Sequence, residues 1–276
     1  ITLLSRRPKP ALEAKGVRVV QGDPLRSGSW QDEAAKGQAI INLVGKNIMV
    51  RWSDAVKKEI LDTRVQSTRL AVQSISRAGD NPPILFNANA VGYYPFSQST
   101  IYDESGPAGD HFLAQVCRTW QKEALQAQNH GSRVIVGRFA PVLAADGGLL
   151  ANVLPLFQKG LGGKIGKGTQ AFPWIHIQDL VRGVQRCLQD DTIQGPVNVC
   201  APEQITNAFF TKTLARVLNR PALMTVPELA LRLRYGELAS MLTKGQAVVP
   251  GVLQSSGFSF TYPTLEEAVQ AIARKL

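Results

Sequence analysis

No run of Lys or Arg in this chain exceeds two residues and only 7% of residues are aromatic, so a formal charge of +10 is spread thinly along 276 positions. Nucleic-acid binding concentrates positive charge in a stripe interleaved with stacking aromatics, and the lack of such a stripe argues against a nucleic-acid partner. A diffuse positive charge still suits a smaller anion such as a phosphorylated cofactor. Three cysteines, Cys117, Cys187 and Cys200, match no zinc or disulfide spacing. They predict buried thiols in a reducing compartment, either cytoplasmic or the matrix or stroma of an organelle. No apolar run approaches the roughly eighteen residues of a spanning helix and no signal peptide is recognisable, so no membrane span is expected. The histidines, His111, His130 and His176, join no third ligand-type residue at metal spacing, and no metal site is expected.

A phosphate loop is also missing, although the stretch GLGGKIGKGTQAFPWIHIQDL, residues 160–180, invites the comparison. With Gly166 and Lys167 on the Gly-Lys pair of G-x-x-x-x-G-K-[ST], the hydroxyl position is Gly168 and the leading glycine falls on Leu161. The stretch is expected to be a solvated connection between a helix and a strand. Asp179 is expected to cap a helix over 180–188, with His176 at an interface between lobes.

Present in abundance is alternation. The runs ITLLS, VRVV, AIINL, ILFNA and RVIVGR read as strands, and amphipathic segments such as 54–75 and 112–127 separate them. At 44% hydrophobic, the chain can bury a large core. The pattern predicts an α/β fold, a Rossmann-like doubly wound parallel sheet over 1–146. A smaller, mainly helical C-terminal lobe is expected over 147–276, with helices near 206–218, 227–242 and 264–275 and some segments returning to the sheet. Ser5, Arg6 and Arg7 end the first strand, where a dinucleotide fold reads the adenosine ribose; arginine there accommodates the 2′-phosphate of NADP.

Several stretches together carry a family resemblance: INLVGKNI, RWSDAVKKEILDTR, ANAVGYYP, DGGLLANVLPLFQKGLGGKIGKG, PWIHIQDL, ITNAFFTKTLARVLNRPAL, KGQAVVP and GFSFTYPTLEEAV. The chain resembles an atypical extended short-chain dehydrogenase/reductase of the "epimerase family", with a DUF1731-type tail. That resemblance implies a leading strand and a G-x-x-G-x-x-G turn, neither of which occurs in these residues. In the strand order 3-2-1-4-5-6 the leading strand is the middle one, so residues 1–5 and 39–43 are expected to flank an open slot. A strand, turn and helix amount to about 25 residues, and the sequence is expected to be short of the family's fold by that many.

The resemblance further implies an NADP cofactor and its contacts. Leu43, Val44 and Gly45 fall where the family's backbone passes the adenosine and ribose. Glu59 and Arg64 match its E-x-x-x-x-R; Arg64 would face the diphosphate, against the alternative of an exposed helix charge paired with Glu59 or Asp62. Phe139 and Val142 follow the strand that lies beside the nicotinamide.

Catalysis departs from the pattern. No tyrosine is followed by lysine four residues on, Leu113 and Cys117 hold the positions of that pair, and the steering-serine region reads Asn87-Ala88-Asn89. The catalytic residues are therefore unknown from sequence. Tyr93, Tyr94 and Asn89 are weak candidates, with Arg118 as a conceivable neighbour to tune a phenol. Two functions follow: an oxidoreductase or epimerase acting on an unknown small-molecule substrate, or a non-catalytic NADP-binding scaffold that controls a protein partner. The sequence leaves a homo-oligomer open.

Overall fold

A computed structural model describes residues 1–97 and 99–275. Its centre is a parallel sheet in the order β10-β6-β4-β3, built from Ala39–Asn42 (β3), Ile84–Ala90 (β4), Val134–Phe139 (β6) and Gly195–Val199 (β10). Thr2–Ser5 (β1) and Arg18–Gln21 (β2) pair in parallel as a separate ladder. Among the described residues no ladder joins β1 to β3, so each keeps one unpaired edge. That is what the order 3-2-1-4-5-6 requires when its middle strand is missing. The doubly wound α/β expectation holds.

The sheet is covered on both faces because neighbouring strand residues point to opposite sides. On β4 and β6, Leu85, Val134 and Val136 face Ala71, Val72 and Ile75 of α3 (Asp54–Ile75) and Ala124 of α4 (Phe112–Leu125). Phe86 and Ile135, one position along, face Val184 and Cys187 of α6 (Ile177–Gln189) and Leu253 of α10 (Gly251–Ser255). Two short helices, α1 (Pro10–Glu13) and α2 (Trp30–Ala35), complete the first half.

The second half contributes β10 and α6 to this central layer and then builds its own core. Leu150, Leu154 and Phe157 of α5 (Leu150–Gln158) meet Phe210 and Leu214 of α7 (Asn207–Val217) and Leu265 and Ile272 of α11 (Leu265–Ala273). The predicted helix over 227–242 is instead broken into α8 (Glu228–Tyr235) and α9 (Ala239–Thr243), because Gly236 turns to φ 64° between them. Two short parallel pairs tie the halves, Ile101–Tyr102 (β5) with Ala247–Val248 (β12) and Val142–Leu143 (β7) with Ile175–His176 (β9), and a third, Gly163–Ile165 (β8) with Met224–Val226 (β11), lies within the second half. No helix among the described residues is long and apolar enough to cross a membrane.

Two expectations for the glycine-rich stretch change. Part of it is β8, whose Gly163 lies so close to β11 that a Cβ there would sit 2.3 Å from the Met224 carbonyl oxygen. Asp179 does not cap α6. His176 does, its Nδ1 accepting from the Gln178 backbone N–H at 3.1 Å. The Asp179 carboxylate is used elsewhere, accepting from the backbone N–H groups of Thr261 and Tyr262 at 2.8 Å each. It thereby pins the segment ahead of α11 to the first turn of α6.

Helix α4 also starts on a histidine: Nδ1 of His111 accepts from Ala114 N at 3.3 Å while Nε2 lies 3.1 Å from the Tyr94 carbonyl. At the far end of α6, Arg133 caps three carbonyls with Nη1, those of Cys187, Asp190 and Ile193 at 2.9, 3.2 and 2.8 Å, and that of Leu188 with Nη2 at 2.8 Å.

Arg133→Ala removes these charge-assisted bonds and leaves carbonyls of a helix end unpaired, so it should lower unfolding free energy by about 2 to 4 kcal/mol, read by chemical denaturation. The histidine caps give a pH prediction. Burial holds the pKa of both His111 and His176 below the usual value; Asp110 and Asp179 oppose this, while Lys244 and Lys275 reinforce it. The folded state therefore binds fewer protons than an unfolded chain with histidines near about 6.5. Stability from this source should be flat above that pH and fall as the pH drops through it. Thermal unfolding between pH 8 and 5.5 should show the decline, and the His111→Asn/His176→Asn variant, which keeps a capping acceptor, should flatten it.

Candidate functional site

Four of the sequence-predicted clusters lie at the carboxyl ends of parallel strands, where open α/β sheets bind ligands. Ser5, Arg6 and Arg7 end or follow β1; Leu43, Val44 and Gly45 follow β3; Asn89, Tyr93 and Tyr94 end or follow β4; Phe139 and Val142 end or follow β6.

After β3 the backbone is fixed from below by a buried polar knot. Asn42 Nδ2 donates to Asn87 Oδ1 at 2.8 Å and to Thr68 Oγ1 at 3.0 Å, and Asn42 Oδ1 accepts from Val44 N at 3.2 Å. The Thr68 hydroxyl also accepts from Trp120 Nε1 at 2.8 Å and donates to the Arg64 carbonyl at 2.8 Å. Each of these groups has partners, as burial requires. The turn Leu43-Val44-Gly45 is thus held to β3, β4, α3 and α4 at once. Leu43 remains 63% exposed.

Over that turn lies the Arg64 guanidinium. A Cβ on Gly45 would fall 2.9 Å from Arg64 Cζ, so only glycine lets the side chain lie there. Arg64 Nη1 donates to the carbonyls of Lys46 and Ile60 at 3.1 and 3.0 Å, and its Cζ stands 5.1 Å from the Trp120 ring centroid. The exposed-pair alternative for Arg64 is excluded: Glu59 pairs with Lys46 at 2.9 Å, and Asp62 pairs with Lys58. Arg64 is half-buried, desolvation holds its pKa below the usual arginine value, and among the described residues no carboxylate pairs with it.

Arg6 and Arg7 are exposed, and neither enters an ion pair among the described residues. Ser5 Oγ donates to the Arg7 carbonyl at 2.7 Å and accepts from Arg7 N at 3.3 Å, which fixes the turn that carries them.

After β4 the picture is divided. Tyr94 is fully buried, its hydroxyl donating to Asn198 Oδ1 and accepting from Arg138 Nη1, both at 2.7 Å. Burial pushes this phenol up to about 12. Tyr94 is therefore a buried anchor, and its place among the catalytic candidates is corrected. Asn89 is similarly engaged, donating to the Cys117 carbonyl at 3.0 Å and accepting from Ala90 N at 2.8 Å. Cys117 itself is a buried thiol pushed up to about 11 by desolvation.

Tyr93 differs. It is half-buried, and among the described residues its hydroxyl makes no hydrogen bond. Its ring packs on the Arg138 guanidinium, with Cζ 3.6 Å from the ring centroid. Arg138, not Arg118, is the cation beside the phenols. It is 1% exposed, reaches Gln121 Oε1 with Nη2 at 3.0 Å, leaves Nε without a partner, and meets no carboxylate among the described residues. Phe139 stacks on Phe86 at 6.0 Å, and Val142 pairs with Ile175 beside the lobe core.

Sequence reasoning missed Thr68, Trp120 and Arg138. The first two carry no local signal on amphipathic helices, while Arg138 and Asn42 were readable as polar residues inside apolar strand runs.

Comparison with known proteins agrees with this geometry. The model of the NAD dependent epimerase/dehydratase family matches residues 1–200, and a domain of unknown function, DUF1731, matches residues 226–272. An Arabidopsis thaliana protein named as a chloroplastic SDR39U1 homologue of the epimerase family is 37% identical over 265 residues, 95% of this chain and 75% of that protein. An epimerase family protein of Mycobacterium bovis is 39% identical over 92% of this chain and 87% of its own length. A crystal structure of human SDR39U1, isoform 2, with NADPH superposes with a TM-score of 0.88 at 33% identity, covering 100% of this chain and 91% of that one. A Thermus thermophilus UDP-glucose 4-epimerase with NAD, 14% identical, shares the fold at a TM-score of 0.77 over 99% of this chain and 89% of its own. With an NAD(P)-binding fold, strand-end clusters at the carboxyl edge and both family models matched, this chain belongs to the NAD dependent epimerase/dehydratase family, among its epimerase family proteins with a DUF1731 tail.

Proposed function

We propose that this chain binds NADP(H) across the carboxyl ends of β1, β3, β4 and β6 and acts as an oxidoreductase or epimerase on a small molecule, with proton-handling groups other than a Tyr–Lys pair. The observation that carries the reading is Arg64, a half-buried guanidinium over the β3 turn with no carboxylate partner among the described residues. A diphosphate is the anion whose charge and geometry suit such a group. Arg6 and Arg7, free of ion pairs among the described residues, suit the 2′-phosphate that distinguishes NADP from NAD. Human SDR39U1 was crystallised with NADPH, which supports the same cofactor here.

When bound, the nicotinamide supplies or accepts a hydride. The chain's own part is to hold the dinucleotide with Arg6, Arg64 and the Leu43–Gly45 backbone, and to offer the Tyr93 hydroxyl to the reacting oxygen. Tyr93 is the candidate phenol because its hydroxyl is uncommitted among the described residues, whereas that of Tyr94 is not. A second reading, an NADP-binding scaffold whose ligand state controls a protein partner, is favoured by one observation. The positions of the usual Tyr and Lys hold Leu113 and Cys117, both buried, and the thiol is kept protonated. Three buried, unpaired thiols suit a reducing compartment, whether cytoplasm or organelle stroma.

Binding tests the cofactor without turnover. In a form of the protein that also carries the family's leading strand and G-x-x-G-x-x-G turn, NADPH should bind more tightly than NADH by fluorescence titration; Arg6→Ala should remove about tenfold to a hundredfold of that preference, and Arg64→Ala should weaken both dinucleotides by about tenfold or more. Equal dissociation constants for NADPH and NADH in that form without substitutions would refute the assignment. For catalysis, protein loaded with NADPH and offered a panel of carbonyl metabolites should consume the reduced nicotinamide, and Tyr93→Phe should lower kcat by about 100-fold with dinucleotide affinity intact. Undiminished kcat in Tyr93→Phe removes the phenol from the mechanism. Stable NADPH together with nucleotide-dependent capture of a partner selects the scaffold.

A further inference from the structure

A groove of about 410 Å³ lies between α7 and the β8–β11 pair, and it shares no residue with the proposed dinucleotide site. Its volume falls within the range of about 300 to 1,000 Å³ usual for small-molecule sites. One wall is a single face of α7, where Ala208, Thr211, Lys212 and Ala215 follow one another at i, i+3, i+4 and i+7. Lys164 projects from β8 on the other side.

Three features make this more than an apolar surface. Charge is the first: Lys164 and Lys212 enter no ion pair among the described residues, and no acidic residue lines the groove. The second is Thr211, only 5% exposed, whose hydroxyl makes no hydrogen bond among the described residues. Threonine in a helix ordinarily donates back to the carbonyl four residues earlier, as Thr63 and Thr119 do at 2.8 and 3.0 Å. Thr211 makes no such bond, and its oxygen is absent from the buried groups that lack a partner, so the hydroxyl reaches the open space of the groove. The third is apolar: Leu223 and Met224 stay 91% and 52% exposed beside a floor of alanines whose small side chains leave room above them.

We propose that this groove binds the carboxylate of a medium-chain aliphatic acid, with the head between Lys164, Lys212 and the Thr211 hydroxyl and the chain along the alanine floor against Leu223 and Met224. Two ammonium groups and one hydroxyl match the two oxygens of a monoanion. Two lysines would also attract a phosphate, but an inorganic anion would leave Ala208, Ala215, Ala222, Leu223 and Met224 uncovered. The apolar wall separates such a ligand from a simple inorganic anion.

Calorimetric titration of the full chain with decanoate, below its aggregation concentration, tests this. Decanoate should bind saturably at one site, while decanol, which lacks the charge, and acetate, which lacks the chain, should each bind at least about tenfold more weakly. Lys164→Gln/Lys212→Gln should weaken decanoate by about tenfold or more, and Ala215→Trp, which fills the floor and keeps both charges, should abolish binding. Circular dichroism checks that each variant is folded, and unaltered NADPH affinity in both keeps this result separate from the cofactor assignment. Absence of saturable decanoate binding overturns the proposal, as does binding that both variants leave unchanged. Preferential binding of a blocked Leu-Asp-Leu peptide over decanoate also overturns it, in favour of a protein partner.

Discussion

The hydroxyl of Thr68 is the point on which the cofactor edge of this fold depends. It accepts from Trp120 and Asn42 and donates to the Arg64 carbonyl, so one oxygen joins α4, β3 and α3 inside the molecule. A buried hydroxyl used in this way is fully satisfied, and a low local dielectric makes each of its bonds count for more than at the surface. Arg64 inherits its position from this arrangement, since its backbone carbonyl is one of the partners and the Trp120 ring flanks its side chain. The β3 turn inherits its shape through Asn42. Neither the loop nor the arginine is placed by its own neighbours in sequence.

The same contrast between local and distant causes explains what was legible. Strand and helix runs carry their period in sequence, and α3 over residues 54–75 is capped by Ser53, whose hydroxyl accepts from Val56 N, as a helix start commonly is. Of the carboxyl-edge clusters, Ser5, Arg6 and Arg7 follow from a strand end, whereas Leu43–Gly45, Phe139 and Val142 are implied by the family resemblance. The histidine caps were not legible, because histidine is an uncommon capping residue and Asp179 offered the better local signal. What overrode that signal was Thr261 and Tyr262, more than eighty residues away, whose backbone N–H groups claim the carboxylate. Gly163 was misread for a similar reason: glycine suggests a loop until the approach of β11 is known.

Tyr93 and Tyr94 make the limit sharper. Two adjacent identical residues on one turn differ only in what the fold brings to them, and the fold brings Asn198 of β10 and Arg138 of β6 to Tyr94. Sequence gives no means of ranking them. Three-dimensional burial ranks them at once, since a phenol pushed up to about 12 and committed at both ends is an anchor for the β4 turn. Its neighbour's hydroxyl is free among the described residues.

Donor accounting orders the arginines in the same way. A guanidinium has five N–H groups, and Arg64, Arg133 and Arg138, three of the arginines that are buried or half-buried, use them to different purposes. Arg133 spends Nη1 and Nη2 on four carbonyls and Asp191 at the end of α6, which makes it structural. Arg138 reaches Tyr94, Glu104 and Gln121 but leaves Nε unpaired, so it supports the β4 turn with a charge that no carboxylate cancels among the described residues. Arg64 uses only Nη1, on two carbonyls. Its remaining nitrogens are absent from the buried groups that lack a partner, so they reach open space beside the β3 turn. Desolvating a cation without a carboxylate is costly unless an anion arrives to offset it. Among the three, Arg64 is the one whose unused N–H groups face open space, and it lies at the carboxyl edge of the sheet.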